Sequence, residues 1–208
     1  MADWTTISAL ATAGGTLVLA VATFSAVRSG NRSARTAERT LLASLRPFLV
    51  NGRIDDPAEK IMWVDRHWAS VGAGRAIVDV GDGVIWLALP LRNAGNGLAH
   101  IHGWHLNVDG QSIGVHADVD DFRRQTRDLY VPSGDTGFWQ GALRDDDVEA
   151  RSELAAIVAD QGVFSIDLLY GDAEGGQLII SRFSLLPKGD GWMCSVTKHW
   201  NLDRADPR

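Results

Sequence analysis

The chain has 208 residues, a net charge of −6 and a pI near 5.4. That acidic balance argues against a general nucleic-acid binder, which needs a basic face, so no nucleic-acid partner is expected. One cysteine, Cys194, excludes an internal disulfide and agrees with a reducing compartment.

Residues 1–6 (MADWTT) read as a short external N-terminus. From Ile7 to Val27 the chain carries no charge over a stretch long enough to span; crossing a hydrocarbon core takes about 20 mostly apolar residues. The spacing predicts a transmembrane helix over 7–27. The segment before it holds Asp3 and no Lys or Arg, so an uncleaved anchor fits better than a signal peptide. Ser8, Thr12, Gly15, Thr16 and Ala20 recur at three to four and share one helical face. Small residues there let two helices approach closely, so this face is the candidate for self-association into a homo-oligomer.

Arg28, Arg32, Arg35, Arg39 and Arg46 follow the span, against a single Glu38. Positive residues stay on the cytoplasmic side, and Trp4 suits the opposite interfacial belt. The expectation is an inner-membrane, single-pass protein with its N-terminus out and its C-terminal domain in the cytoplasm. Residues 28–46 read as a basic juxtamembrane helix. It either continues the span or breaks at Gly30–Asn31, and it ends before Pro47.

From Pro47 the pattern turns to short extended runs, predicting a domain over 47–200 and a polar tail over 201–208. Candidate strands are 48–50, 61–64, 76–80 and 84–91. The last of these (VIWLALPL) is apolar on both faces, as in a central strand, while Pro90 points to an edge or a bulge. Leu98 to Val108 and Gln111 to Val115 flank Asp109-Gly110, a hairpin signal. That register would make His105 and His116 diagonal neighbours. Residues 118–128 are polar and unpatterned, which predicts a loop or a short helical turn. Residues 129–131 and 136–142 follow as strands.

Asp146 and Glu149 have capping-box spacing and open one helix. Its apolar stripe is Val148, Leu154, Ala155 and Val158, with Gly162 at C′. In Val163 to Tyr170, Phe164, Ile166, Leu168 and Tyr170 share one face, and Ser165 and Asp167 the other. Residues 177–186 and 192–200 close the domain. Eight or nine short strands and one helix predict a mainly β, immunoglobulin-like β-sandwich. The chain's eight tryptophans are a high count, and those of the β domain are expected to pack in the core and on the sheet faces.

Four segments carry a resemblance. Arg46 to Val50, Leu91 to Ala99 (LRNAGNGLA), Val131 to Asp135, and Tyr170-Gly171-Asp172 with Gly175 are similar to those of uncharacterised bacterial membrane proteins with one N-terminal transmembrane helix and an immunoglobulin-like domain. Leu98 stands where such proteins often carry proline. The resemblance covers most of the chain and implies architecture alone.

For chemistry, His100 and His102 point to one face of a strand and are the candidate metal ligands, but a zinc site needs three or four converging groups. Asp118, Asp120 and Asp121 lack the spacing of a calcium loop. The glycine pairs 72/74, 81/83 and 95/97 lie between β runs and so are not phosphate cradles. Gly95 and Gly97 are expected to supply positive φ. Cys194 reads as a buried strand residue. No nucleophile elbow or P-loop occurs. The expectation is a non-enzymatic, cofactor-free protein that meets the lipid bilayer and an unknown protein partner. A ligand- or metal-sensing domain and a periplasmic envelope factor are the alternatives.

Overall fold

The computed structural model describes residues 3–72, 74–108 and 114–205. The chain divides into two compact units, Met1–Ser44 and Leu45–Arg208.

The first unit is one helix, α1 (Trp4–Ser44), of 41 residues. At about 1.5 Å per residue it is roughly 60 Å long. There is no break at Gly30–Asn31, so the basic stretch continues the apolar one in a single rod. Among the described residues it is the one helix long and apolar enough to cross a membrane. Its hydroxyls bond back along the helix: Thr12 Oγ1 donates to the Ser8 carbonyl and Thr16 Oγ1 to that of Thr12, both at 2.9 Å. Such back-bonding is what lets hydroxyls reside in an apolar helix.

The helix ends two residues earlier than expected, and Arg46 is no part of it. Arg46 belongs to the second unit, where its Nη2 donates to Asp203 Oδ1 and Asn201 Oδ1, both at 2.7 Å. An arginine counted with the basic collar is therefore a clamp inside the β unit.

The second unit is mainly β. In chain order it holds β1 (Leu49–Asn51), β2 (Glu59–Met62), β3 (Trp68–Val71), β4 (Arg75–Gly81), β5 (Val84–Asn93), β6 (Ala99–Asn107), β7 (Arg123–Val131) and β8 (Thr136–Leu143). Helix α2 (Val148–Ala159) follows, then β9 (Phe164–Gly171), β10 (Leu178–Lys188) and β11 (Gly191–Asn201). Nine of these strands form one sheet curled into a half-barrel, with the path β8-β5-β4-β11-β10-β9-β6-β7 and β1 joining β5 beyond the end of β4. The ladder that joins the two halves of that sheet pairs Trp192 and Met193 of β11 with Ala76 and Arg75 of β4. β2 and β3 make a separate ribbon.

Both halves share one core. Ile85, Leu87, Leu89 and Leu91 of β5 and Phe164, Ile166, Leu168 and Tyr170 of β9 all enter it. The opposite face of β5 is buried as well, because Trp86 and Ala88 pack with Ile61, Trp63 and Val71 of the ribbon. That explains a run apolar on both sides. Pro90 is at neither an edge nor a bulge. It occupies the point where the β4 partner stops at Ala88 and the β1 partner begins at Leu91, and its carbonyl accepts from Gly52 N–H at 3.0 Å. A residue without an N–H fits this gap between partners. Six of the eight tryptophans are buried; Trp4 and Trp68 are exposed.

Three local expectations are corrected. Gly95 and Gly97 do not have positive φ. They are glycine because the backbone of 45–48 crosses them: a Cβ on Gly95 would strike the Arg46 carbonyl and one on Gly97 that of Leu45. Helix α2 starts one residue after Asp147, whose Oδ2 accepts from Arg144 N–H at 3.3 Å, and Val148 is exposed. At its end, Gln161 holds the C′ position at φ 53°, with Gly162 N–H reaching the Ile157 carbonyl at 2.8 Å and Gln161 N–H that of Val158 at 3.2 Å. This is a Schellman closure with glutamine where glycine is usual.

Candidate functional site

The site grows out of β7, whose sequence RRQTRDLYV has only two inward apolar residues, Leu129 and Val131. Of residues 118–128, expected as a loop or a short helical turn, Val119–Asp121 form a 3-10 turn and 123–128 belong to a strand. Its pairing with β6 is broken. Leu129 faces Ile101 and Arg124 faces Gly103, so Gln125, Thr126, Arg127 and Asp128 arch away opposite the single residue His102. β6 is also irregular against β9 at the same place. Bulges of this kind re-aim side chains and end regular pairing.

The arch brings β7 towards β8, the other end of the sheet, without forming a ladder. One side chain bridges the opening. Gln125 Oε1 accepts from Trp139 Nε1, and its Nε2 donates to the Gln140 carbonyl, both at 3.1 Å. Arg127 lies 5.9 Å over the Phe138 ring. Past Gln125 the seam opens into a recess of about 290 Å³ lined by Trp63, Trp104, Arg123, Arg124, Gln140 and Arg144, among others.

The recess is cationic and well braced. Trp104 packs edge-on against Trp139 with centroids 5.2 Å apart, and Arg123 sits 5.2 Å over the Trp104 ring. Arg123 is ion-paired to Asp147. Arg144 pairs with Asp65 at 3.0 Å, and Asp65 also accepts from Trp86 Nε1 at 2.9 Å. Trp63 Nε1 donates to the Gly141 carbonyl at 2.9 Å. Arg124 is exposed and makes no ion pair with the described residues. Gln140 is only 8% exposed. Its Nε2 donates to the Met62 carbonyl at 3.3 Å, while its Oε1 is buried without a donor. A buried acceptor in that state costs free energy.

The histidines expected to act together do so only in part. His100 and His102 are neighbours, with ring centroids 4.5 Å apart. His100 stacks on Tyr130 at 4.6 Å, and its Nε2 lies 3.5 Å from Asp128 Oδ1. His102 sits at the bulge with Nε2 buried and unpartnered among the described residues. Burial, and then the neighbouring His100, hold its imidazole below the usual value, against the pull of Asp172. No group of three or more His, Cys, Asp or Glu side chains converges on a metal position among the described residues.

His105 and His116 are not strand neighbours. His105 lies on β6 opposite Asp167 of β9, and His116 is in no strand. His105 faces Phe122, and His116 lies against Trp200. The Asp109-Gly110 turn lies outside the described residues. Asp118, Asp120 and Asp121 surround the 3-10 turn on the surface. Cys194 is buried, and burial pushes its thiol up to about 12. Trp4, Arg28, Arg32, Arg35 and Arg39, and likewise Ser8, Thr12, Gly15, Thr16 and Ala20, are exposed along α1.

Sequence reading missed Arg123, Arg124, Gln125, Gln140 and Arg144. The one local signal was the basic cluster RRQTR in a segment otherwise read as loop.

No family model matches the chain, and no curated protein matches it. A solved structure of a protein from Archaeoglobus fulgidus aligns with 63% of this chain and 96% of its own, at 11% identity and a TM-score of 0.26. A likeness that low carries no argument.

Proposed function

We propose that this chain is a membrane-tethered interaction module that presents its β unit to a protein partner at the cytoplasmic face of the membrane. The observation that carries this reading is α1. Leu10, Leu17, Val18, Leu19 and Phe24 are all 66–69% exposed on it. A contiguous apolar surface of that kind calls for lipid. The uncharged run is followed by Arg28, Arg32, Arg35 and Arg39 and by no acidic residue before Glu38, which supports the N-out orientation. Self-association through Ser8, Thr12, Gly15, Thr16 and Ala20 belongs to the same reading. So does an immunoglobulin-like kinship of the β unit, supported by two sheet halves that pack over one core.

The test is a reporter at the C-terminus of the membrane-bound chain. Fluorescence of a cytoplasm-dependent reporter with no phosphatase activity is the expected result. Active phosphatase would replace this reading with a periplasmic envelope factor, and release of the chain by an alkaline wash would remove the tether.

A second reading, a ligand- or metal-sensing tethered domain, is favoured by one observation: the unpartnered Nε2 of His102 beside His100. Titration with zinc followed by the tryptophan fluorescence tests it. A saturable change lost in His102→Gln supports sensing, and no change removes it.

A further inference from the structure

We infer that the recess at the β7/β8 seam receives an acidic side chain from an extended segment of a different protein; this rests on the interaction-module reading above. Two independent features point there.

First, the lining carries Arg123, Arg124 and Arg144 and no carboxylate. Asp147 and Asp65 each hold one of these arginines in place. Arg124 stays exposed and unpaired with the described residues. A preset guanidinium with free donors selects a carboxylate, because the fork matches two oxygens.

Second, the seam is bounded by the two terminal strands of the sheet. β8 pairs with β5 alone, and β7 loses its β6 partner over Gln125–Asp128. Terminal strands offer a row of backbone donors and acceptors to an extended chain. At about 290 Å³ the recess holds a side chain or two rather than a folded element. The segment therefore lies along the rim and sends one carboxylate inward beneath Trp63 and Trp104.

The test uses the full chain in nanodiscs and a fluorescent capped peptide of alternating aspartate and valine. Saturable binding is expected. Arg124→Glu is expected to weaken it about tenfold or more, as loss of a charge-assisted contact does. Arg75→Glu, at an exposed arginine on β4, is expected to leave it unchanged. Equal weakening by both variants would mean unspecific charge attraction and overturn the assignment. So would absence of binding, or competition by free glutarate mole for mole with the peptide.

Photo-cross-linking in cells, from Thr126 at the rim and from Glu174 in a distant loop, separates the two levels of the argument. A different protein captured from Thr126, and no longer captured when Arg124→Glu is introduced, supports the seam. A second copy of this chain captured there overturns the partner assignment. Capture from Glu174 alone overturns the seam and leaves the interaction module standing; no capture from either position removes both.

Discussion

Arg182 stands directly across from Asp167 on the neighbouring strand, and its Nε and Nη2 donate to the two carboxylate oxygens at 2.7 Å each. Asp167 is fully buried and Arg182 is 5% exposed. Trp200 lies 5.0 Å from the guanidinium, and the Val115 carbonyl accepts from Nη2 at 3.0 Å. A bidentate pair in such surroundings is costly to break and inexpensive to replace whole. Arg182→Met alone should destabilise the domain by about 3–5 kcal/mol, because it strands a buried carboxylate. The double variant Asp167→Leu, Arg182→Met should recover most of that loss. Urea denaturation followed by tryptophan fluorescence checks both, and a double variant as weak as the single one would contradict the argument.

Gln161 pays the strain of φ 53° at the C′ position of α2. Glycine adopts that conformation freely. Gln161→Gly should therefore stabilise the domain by about 0.5–1 kcal/mol. A raised urea midpoint at unchanged slope is the readout.

Gly97 is constrained differently. Its Cβ position is already filled by the Leu45 carbonyl, which is backbone and cannot rotate aside. Gly97→Ala should cost about 1–3 kcal/mol or more through overpacking. Gly134, at φ +73° with nothing within 4 Å, isolates the backbone term. Gly134→Ala should cost only about 1 kcal/mol, so the ordering of the two variants tells crowding from strain.

Acid should weaken the fold in two stages. His102 and His105 are both held below 6.5, chiefly by burial. Below that pH the unfolded chain takes up protons before the folded one does, so stability is full above about pH 6.5 and declines as pH falls towards the folded values. Asp56, hydrogen-bonded to Arg92, and Asp203, hydrogen-bonded to Arg46, are held below 3.8. Their contribution is present above 3.8 and is lost as pH drops through the lower folded values. Denaturation midpoints across pH 3–8 should show both declines, and His102→Gln should flatten the upper one.

An arginine in the middle of the apolar half of α1 should undo anchoring. Leu17→Arg adds about 2.5–3.5 kcal/mol to the insertion free energy of the segment. The variant should shift from the membrane fraction towards the soluble or degraded pool, while Leu41→Arg should not.

How much of this was legible beforehand depends on where the information lies. The alternation of Phe164, Ile166, Leu168 and Tyr170 is local, and all four are fully buried on the predicted face. The other face of the same strand misleads. It carries the polar Ser165 and Asp167, yet Phe122, Ile180 and Trp200 cover that side from distant parts of the chain. β7 was invisible for a related reason. Its middle residues are polar because they arch over an opening, so no period of two marks them. The recess draws on positions 63–64, 104, 123–126, 140–142 and 144, which only the curling of the sheet brings together. The His100–His102 pair was legible because two residues of one strand separated by one position share a face. Its bulge was not, since it depends on partners on both sides.

The turn at Pro132–Asp135 ties the two outermost strands of the sheet to each other. Gly134 N–H and the Asp135 carbonyl bond to Asn93 of β5, which pins that turn to the interior of the fold. The link holds both margins against the fold. While it is intact, neither can swing away from the sheet to exchange strands with another copy. A protease nick at Ser133–Gly134 would unfasten both margins at once and turn a self-contained protein into one prone to exchange strands with its neighbours.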